Sequence, residues 1–144
     1  MAAAVADFRP APGEIHPTGK RRRAKEGMIL RLEPTPDLLA GCSAQARADQ
    51  LLVGFALEPE ADLLASARNK LARKDIDLIV ANPLETMDSP SIRARLLGNP
   101  ARGLTTDVQT DGPIPKPAFA GWLLDQLAPL ARRRAALERT RGQA

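Results

Sequence analysis

The fold of this chain is constrained most by residues 51–82, which read LLVGFALEPEADLLASARNKLARKDIDLIVAN. Residues 51–56 and 76–81 are short apolar runs, typical of strands that are buried on both faces. The acidic and proline-containing segment at residues 58–60 predicts a helix start, because proline is tolerated in a first turn and carboxylates suit the positive end of the helix dipole. The stretch is therefore predicted to be a strand–helix–strand unit.

The predicted helix has one apolar face, and the two strands that it joins are expected to bind a ligand at their carboxyl ends. Two parallel strands joined by a helix cross over right-handedly, and ligands bind beyond the carboxyl ends of such strands. These ends are residues 54–56 and 81–83. The apolar residues at helical spacing are Leu63, Leu64, Ala67, Leu71 and Ala72.

The composition bears on the partners of the chain and on its cellular compartment. The 144 residues carry a net charge of +4, which favours anionic partners, although a merely basic surface explains the charge equally well. A single cysteine, Cys42, excludes an internal disulfide and fits a reducing cytoplasm. We expect no membrane segment, because no apolar run approaches the ~20 residues that a span needs.

The same short motifs resemble a known family. The segment VGFA with Glu58 two positions after it, the segment DLIVAN, the opening MAAAVADFRP, and Lys20 followed by the segment PDLL at residues 36–39 stand in the order found in phosphopantothenate–cysteine ligase. This enzyme is the synthetase half of the bifunctional phosphopantothenoylcysteine decarboxylase/synthetase of coenzyme A biosynthesis. The resemblance is to its C-terminal part; it is strong over residues 1–82 and weak beyond them.

The resemblance implies an α/β fold. We expect a partial Rossmann-like, three-layer domain with a mainly parallel sheet, a possible β-hairpin and a C-terminal helix. Before the central unit, the predicted elements are strands at residues 1–6 and 28–33 and a helix at residues 35–48 with Thr35 as N-cap. After the unit, residues 92–97 and 104–108 are predicted to form a hairpin. Pro117 then opens a last helix, whose apolar face consists of Phe119, Trp122, Leu123, Leu127 and Leu130.

The resemblance also implies a reaction. In the family, a nucleoside triphosphate, typically CTP, activates the carboxylate of 4′-phosphopantothenate as an acyl-cytidylate, and the amine of cysteine then displaces CMP. Mg²⁺ accompanies the triphosphate, because it prefers oxygen ligands and shared phosphates. FMN is implied only where a decarboxylase domain precedes this one. The choice between CTP and ATP stays open.

Family positions near the start of the chain carry charged candidates. Lys20 stands where the family has a lysine that supports the chemistry, on a flap at residues 9–25. Arg22 and Arg23 stand where lysines are usual and are candidates for the substrate phosphate. Asp7 follows the first strand, where it can bind the nucleotide or help to orient Mg²⁺; no other protein ligand for a metal is proposed. A solvated basic loop and a turn-forming aspartate are the alternatives.

Three further candidates for nucleotide binding lie in the central unit. Phe55 stands where the family places a phenylalanine against the base, although a core phenylalanine is the commoner case. Lys70 corresponds to a family lysine on the helix, where a solvated position is the alternative. Asn82 ends the second strand of the unit and is a weaker candidate.

The predicted organisation is one incomplete domain with a tail. Residues 1–130 correspond to the C-terminal portion of the ligase domain, and residues 131–144 are a basic tail that we expect to fray. We interpret the chain as a fragment or as the product of a misassigned start, so that activity would need the missing N-terminal half or a partner; the family works as a homodimer. The alternatives are a basic nucleic-acid-binding module and a non-catalytic oligomerisation remnant.

Overall fold

A computed structural model describes the backbone of residues 6–14 and 29–141, and the side chains of these residues as far as 133. The chain divides into two units, Met1–Leu38 and Leu39–Ala144. Most of the predicted first strand and flap, with Lys20, Arg22 and Arg23, lie outside the described residues.

The first unit contains a two-stranded antiparallel ribbon. Strand β1, Phe8–Pro10, pairs with strand β2, Leu32–Pro34. Arg9 and Glu33 lie opposite each other and form an ion pair of 2.7 Å. The strand predicted at residues 28–33 is therefore shifted towards its C-terminus, and the prediction that the flap begins at residue 9 is wrong for the residues of β1.

Helix α1, Leu38–Ala44, is shorter than the helix predicted at residues 35–48. Thr35 does not cap it. Its hydroxyl donates instead to the carbonyl of Ala6 at 2.5 Å, and its backbone N–H donates to the carbonyl of Asp7 at 2.9 Å. The threonine thus continues the ribbon, because strand-like bonds to residues 6 and 7 satisfy the groups that a helix cap would have used.

The second unit is built on a four-stranded sheet. Its strands are β3, Val53–Glu58; β4, Leu78–Pro83; β6, Arg95–Gly98; and β7, Asp107–Gln109; they lie in the order β3–β4–β6–β7. Strands β3 and β4 are parallel, whereas the β4–β6 and β6–β7 pairs are antiparallel. The α/β class and the hairpin are confirmed, but the sheet described here is mainly antiparallel.

The direction of β6 has a simple cause. A parallel strand needs a crossover of a dozen or more residues, usually helical. The segment between β4 and β6 holds only a 3-10 turn at Leu84–Thr86 and the short strand β5, Ser91–Ile92. The chain therefore returns in the opposite direction.

Helix α2, Leu63–Arg73, joins β3 to β4 and packs on one face of the sheet. Its buried residues are Leu63, Ala67 and Leu71, as predicted, while Leu64 and Ala72 are exposed. With Ala56 and Ala81 of the strands they form the first core cluster. The helix begins after Asp62, so the prediction that the acidic segment at residues 58–60 opens it is wrong.

Helix α3, Lys116–Arg141, covers the other face. It follows strand β8, Ile114–Pro115, which pairs with β5. The second core cluster is centred on Leu78, Val80 and Leu96, and the predicted apolar face of the helix packs against it: Phe119, Trp122, Leu123, Leu127 and Leu130. The C-terminal helix is thus confirmed.

Buried polar residues brace the amino edge of the β3–β4 pair. Asp77 is fully buried; its carboxylate accepts from the backbone N–H of Leu52 at 2.8 Å and forms an ion pair with Arg102 at 3.4 Å. Arg102 also binds Asp75 at 2.9 Å. Asn99 donates its side-chain amide to the carbonyl of Ile76 at 2.9 Å. Two strands and the β6–β7 turn are joined at this edge.

Gly98 provides a stability prediction, because it ends β6 where the β6–β7 turn comes closest. A Cβ at this position would lie 2.6 Å from the carbonyl oxygen of Leu104 and 2.9 Å from the amide nitrogen of Thr106. We expect Gly98→Ala to lower the free energy of unfolding by about 2 kcal/mol, as overpacking does, in urea denaturation.

The control is Gly121→Ala in α3, where an added Cβ meets nothing within 4 Å. It should be neutral or stabilising by up to about 1 kcal/mol, because alanine is the better helix former. Equal stability of the Gly98→Ala variant and the unsubstituted chain would contradict the packing at the β6–β7 turn.

Candidate functional site

The candidate site is the carboxyl edge of the β3–β4 pair. The register places Leu57 opposite Asn82 and Glu58 opposite Pro83. Side chains alternate between the two faces of a strand. Ala56 packs in the cluster that contains α2, so Glu58 shares its face, and Phe55 points to the face covered by α3.

Phe55 is an exposed aromatic side chain on a strand. Its exposed fraction is 56 %, whereas its neighbours Gly54 and Ala56 are buried. The core alternative for this residue is therefore not what the structure shows. Phe55 lies within β3, three residues before the strand ends, and an accessible aromatic ring on a strand is able to stack on a planar ligand.

Asn82 lies on the same face as Phe55, diagonally across the parallel pair, since Phe55 is opposite Val80. Its side chain is 9 % exposed and its amide donates to the hydroxyl of Thr86 at 2.9 Å. That hydroxyl in turn donates to the carbonyl of Pro83 at 2.7 Å. The turn after β4 thus holds Asn82 in a fixed orientation beside the phenylalanine.

Lys70 lies on the opposite face and is paired. Its ammonium donates to Oε1 of Glu58 in an ion pair, and the hydroxyl of Ser66 donates to the same oxygen at 2.9 Å. About a third of the lysine side chain is exposed. The hydrogen bonds from Lys70 and Ser66 lower the pKa of the Glu58 carboxyl from its ordinary value. We call these three residues the Glu58 cluster.

Neighbouring loops are tied across the same edge. Glu60, in the loop between β3 and α2, forms an ion pair with Arg93. Lys116, the first residue of α3, donates its ammonium to the carbonyl of Met87 at 2.9 Å. The acidic segment at residues 58–60 does not begin the helix, because β3 continues to Glu58, and Glu60 lies in the loop before α2.

The remaining candidates do not join this arrangement in the described structure. Asp7 is exposed in the first unit, just before β1. No group of three or more His, Cys, Asp or Glu side chains within residues 6–14 and 29–133 could hold a metal ion. Lys20, Arg22 and Arg23 lie outside the described residues, so their roles stay predictions.

Sequence reasoning missed two members of the Glu58 cluster, Glu58 and Ser66. Two signals were present. Ser66 and Lys70 are four residues apart, and such residues share a helix face. Glu58 is two residues after Ala56 on β3, so the two side chains lie on the same face of the strand, which is the face that α2 covers.

Comparison with known proteins gives the family. The sequence profile of the family described as "DNA/pantothenate metabolism flavoprotein C-terminal domain" matches residues 1–107. This match covers most of the chain, and the chain therefore belongs to that family. The resemblance inferred from the motifs is confirmed, and helix α3 lies beyond the matched residues.

Two curated relatives are similar to more than half of the chain. The Coenzyme A biosynthesis bifunctional protein CoaBC of Bacillus subtilis is 43 % identical over 83 residues, which are 58 % of this chain and 19 % of the relative. A protein named Cysteine/Cysteine sulfinic acid decarboxylase, from an unknown prokaryotic organism, is 42 % identical over 85 residues, which are 59 % of this chain and 23 % of the relative. The chain thus spans about a fifth of the length of these relatives.

Solved structures share the fold. A Cab2 variant in complex with phosphopantothenate-cysteine superimposes with a TM-score of 0.71 at 21 % sequence identity, covering 96 % of this chain and 45 % of that one. The neighbours are Rossmann-like domains, which agrees with the α/β class. Among the helices that the structure describes, none has the length and apolarity that crossing a bilayer requires.

The Glu58 cluster predicts a pH dependence. A carboxyl whose pKa is lowered on folding stabilises the native state above its ordinary pKa of 4.5, and this contribution is lost as the pH falls below that value. Lys70→Met removes the cation, so the pKa of Glu58 should rise towards its ordinary value, and the variant should lose less stability between neutral pH and about pH 3 than the unsubstituted chain.

Carboxyl-detected NMR titration of Glu58 and urea unfolding at the two pH values check this prediction. Arg73→Met is the matched control, because it removes a cation from the same helix that does not bind Glu58. An unchanged Glu58 titration in Lys70→Met would show that the ion pair does not form in solution.

Proposed function

We propose that the chain is the C-terminal portion of a phosphopantothenate–cysteine ligase that acts in coenzyme A biosynthesis. The reaction joins 4′-phosphopantothenate and cysteine through an acyl-nucleotidylate, with CTP as the nucleotide. The observation that carries the proposal is the match of residues 1–107 to a pantothenate-metabolism domain, whose parallel β3–β4 pair carries Phe55 and Asn82 on one face.

The relatives support a ligase role more than the other activities in their names. The B. subtilis relative is a bifunctional protein of coenzyme A biosynthesis, and the Cab2 variant binds phosphopantothenate-cysteine, the product that the proposed reaction would form. A decarboxylase is also named, but the matched part is less than a quarter of that protein. FMN belongs to the proposal only where a decarboxylase domain precedes the chain.

Each candidate residue has a chemical role in the proposed site. Phe55 would stack on the base and Asn82 would bind its edge, since an aromatic face and an amide are the groups that recognise a planar heterocycle. Lys70 would bind phosphate oxygens from the other face. At the other end of the chain, Lys20 would stabilise charge that develops during acyl transfer, as a fixed cation does.

Further charged residues complete the proposal. Arg22 and Arg23 would bind the phosphate of phosphopantothenate, because guanidinium groups bind phosphate in a bidentate manner. Asp7 is the one protein group offered for Mg²⁺, which otherwise would be held by the triphosphate itself.

The proposed active form is larger than a single copy of this chain. The chain corresponds to about half of the Cab2 structure, so the rest of the site would come from a missing N-terminal half. We propose a homodimer as the assembly. The apolar face of the ribbon favours this, because Phe8 and Leu32 lie on one face and are each more than half exposed. The single thiol suits a cytoplasmic setting.

The nucleic-acid-binding alternative is not favoured. Family membership accounts for the motifs of residues 1–82, whereas no observation in the described part of the chain points to a nucleic-acid interface. Salt-sensitive, sequence-independent binding of DNA or RNA without competition by CTP would be the result that favours it.

Thermal melting with nucleotide tests the proposal. A ligand that binds only the folded state stabilises it by about 2.7 kcal/mol at a concentration of 100 Kd. With Mg²⁺, we expect CTP to raise Tm by several degrees and ATP to raise it less. Phe55→Ala should abolish the CTP-dependent rise, as should Asp7→Ala.

Leu124→Ala is the matched control for Phe55, because Leu124 is also an exposed apolar residue (65 %, compared with 56 % for Phe55) but belongs to α3 and not to the β3–β4 pair. This variant should keep the CTP response. A cooperatively folding chain whose Tm does not respond to CTP would contradict a nucleotide site in this part of the ligase.

A second test concerns the flap. With CTP, Mg²⁺ and 4′-phosphopantothenate, Lys20→Ala should slow pyrophosphate release by about 10²- to 10³-fold, the cost of losing one fixed stabilising group in a transition state. Lys25→Ala removes a charge from the same basic run and should have a small effect. Equal rates in both variants would mean that the run acts only by its overall charge.

A further inference from the structure

The ammonium of Lys70 is held at the carboxyl edge by a side chain to which the sequence analysis gave no role in the site. Lys70 lies about two turns into α2. Helical side chains lean towards the helix N-terminus, which here is the carboxyl edge of β3. Glu58, the last residue of β3, receives the ammonium there.

Ser66 orders the carboxylate of Glu58 from a second direction. Its hydroxyl lies one helical turn before Lys70 and donates to the same Oε1 at 2.9 Å. A carboxylate that is fixed by both groups cannot swing away with the lysine. The cluster is also shielded, since the exposed fraction of the Glu58 side chain is 23 %, compared with 58 % for Glu60 in its surface pair with Arg93.

The arrangement leaves the lysine able to bind a ligand. An ammonium group has three N–H donors, and the bond to Glu58 uses one of them. A lysine that is already ordered loses less conformational entropy when it binds an anion. If Glu58 acted only through its negative charge, it would weaken phosphate binding, because a carboxylate repels a phosphate. Its effect on the order of Lys70 and its effect through charge are therefore opposite in sign.

We propose that Glu58 is a positioning residue of the nucleotide site, which holds the ammonium of Lys70 at the carboxyl edge of β3 so that it binds the phosphates of a nucleoside triphosphate. This inference rests on the proposed function and assigns a role to a residue that does not itself touch the ligand. It predicts that removing Glu58 weakens anion binding, although a negative charge is lost.

The experiment is isothermal titration calorimetry of the full chain with Mg²⁺·CTP and, separately, with inorganic triphosphate. Glu58→Ala should weaken both affinities by about two- to tenfold, the range expected for ordering one long side chain. Glu58→Gln keeps an acceptor at the same place and should recover part of the loss. In a Lys70→Ala background, Glu58→Ala should have no further effect.

Glu60→Ala is the matched control, because it removes a glutamate from the adjacent loop that pairs with Arg93 and not with Lys70. It should leave both affinities unchanged. Unliganded melting curves verify that each variant folds. NMR order parameters of the Lys70 side chain provide a readout without ligand: they should fall in Glu58→Ala and be largely retained in Glu58→Gln.

The outcomes separate this inference from the proposed function. Binding of inorganic triphosphate with the expected order of variants, but no binding of CTP, would overturn the nucleotide assignment and support the positioning role. Unchanged or tighter binding in Glu58→Ala, an equal loss in the Lys70→Ala background, or unchanged Lys70 order parameters would overturn the positioning role. Failure of the unsubstituted chain to bind either anion would overturn both.

Discussion

The second unit depends on the buried carboxylate of Asp77. A polar group with no solvent access must be fully bonded, and this one binds the backbone of Leu52 and the guanidinium of Arg102. The backbone carbonyl of Asp77 accepts from the backbone N–H of Asn99. The start of β4 is thereby joined to the segment before β3 and to the turn after β6. A different strand order would leave a buried charge without its partner, at a cost of several kcal/mol.

Bracing one edge of the sheet leaves the other edge available for binding. At the amino edge, most polar groups of the Asp77 network bind one another. Towards the carboxyl edge lie the exposed ring of Phe55 within β3, the oriented amide of Asn82 near the end of β4, and the ammonium of Lys70 that Glu58 holds. Ligands bind beyond the carboxyl edge of parallel strands. The buried polar network lies at the opposite, amino edge and makes that edge rigid.

The sequence predicted what depends on periodicity, and missed what depends on tertiary partners. The strand–helix–strand unit, the buried face of α2 and the apolar face of α3 follow from spacing alone, with strand bounds shifted by about two residues. The acidic segment at residues 58–60 was misinterpreted because the pairing of β3 with β4 continues to Glu58, opposite Pro83, and this contact between distant residues is not visible in the local pattern. The reversed β6 was predictable, since the segment before it is too short for a helical crossover. The roles of Lys20, Arg22 and Arg23 remain predictions from the family pattern.

The alternation of β3 also limits how one nucleotide could use the candidate residues. Phe55 and Glu58 are three positions apart on a strand, so they face opposite sides of the sheet, and Lys70 lies with Glu58. A ligand confined to one face could contact the ring or the ammonium, but not both. If the base stacks on Phe55 and the phosphates bind Lys70, the nucleotide must pass around β3, which is an outermost strand of the described sheet, either along its outer side or beyond its carboxyl end at Glu58. A lysine fixed at that end is better suited to such a ligand than one that moves freely along α2, which is why the position of Glu58 at the last residue of the strand matters.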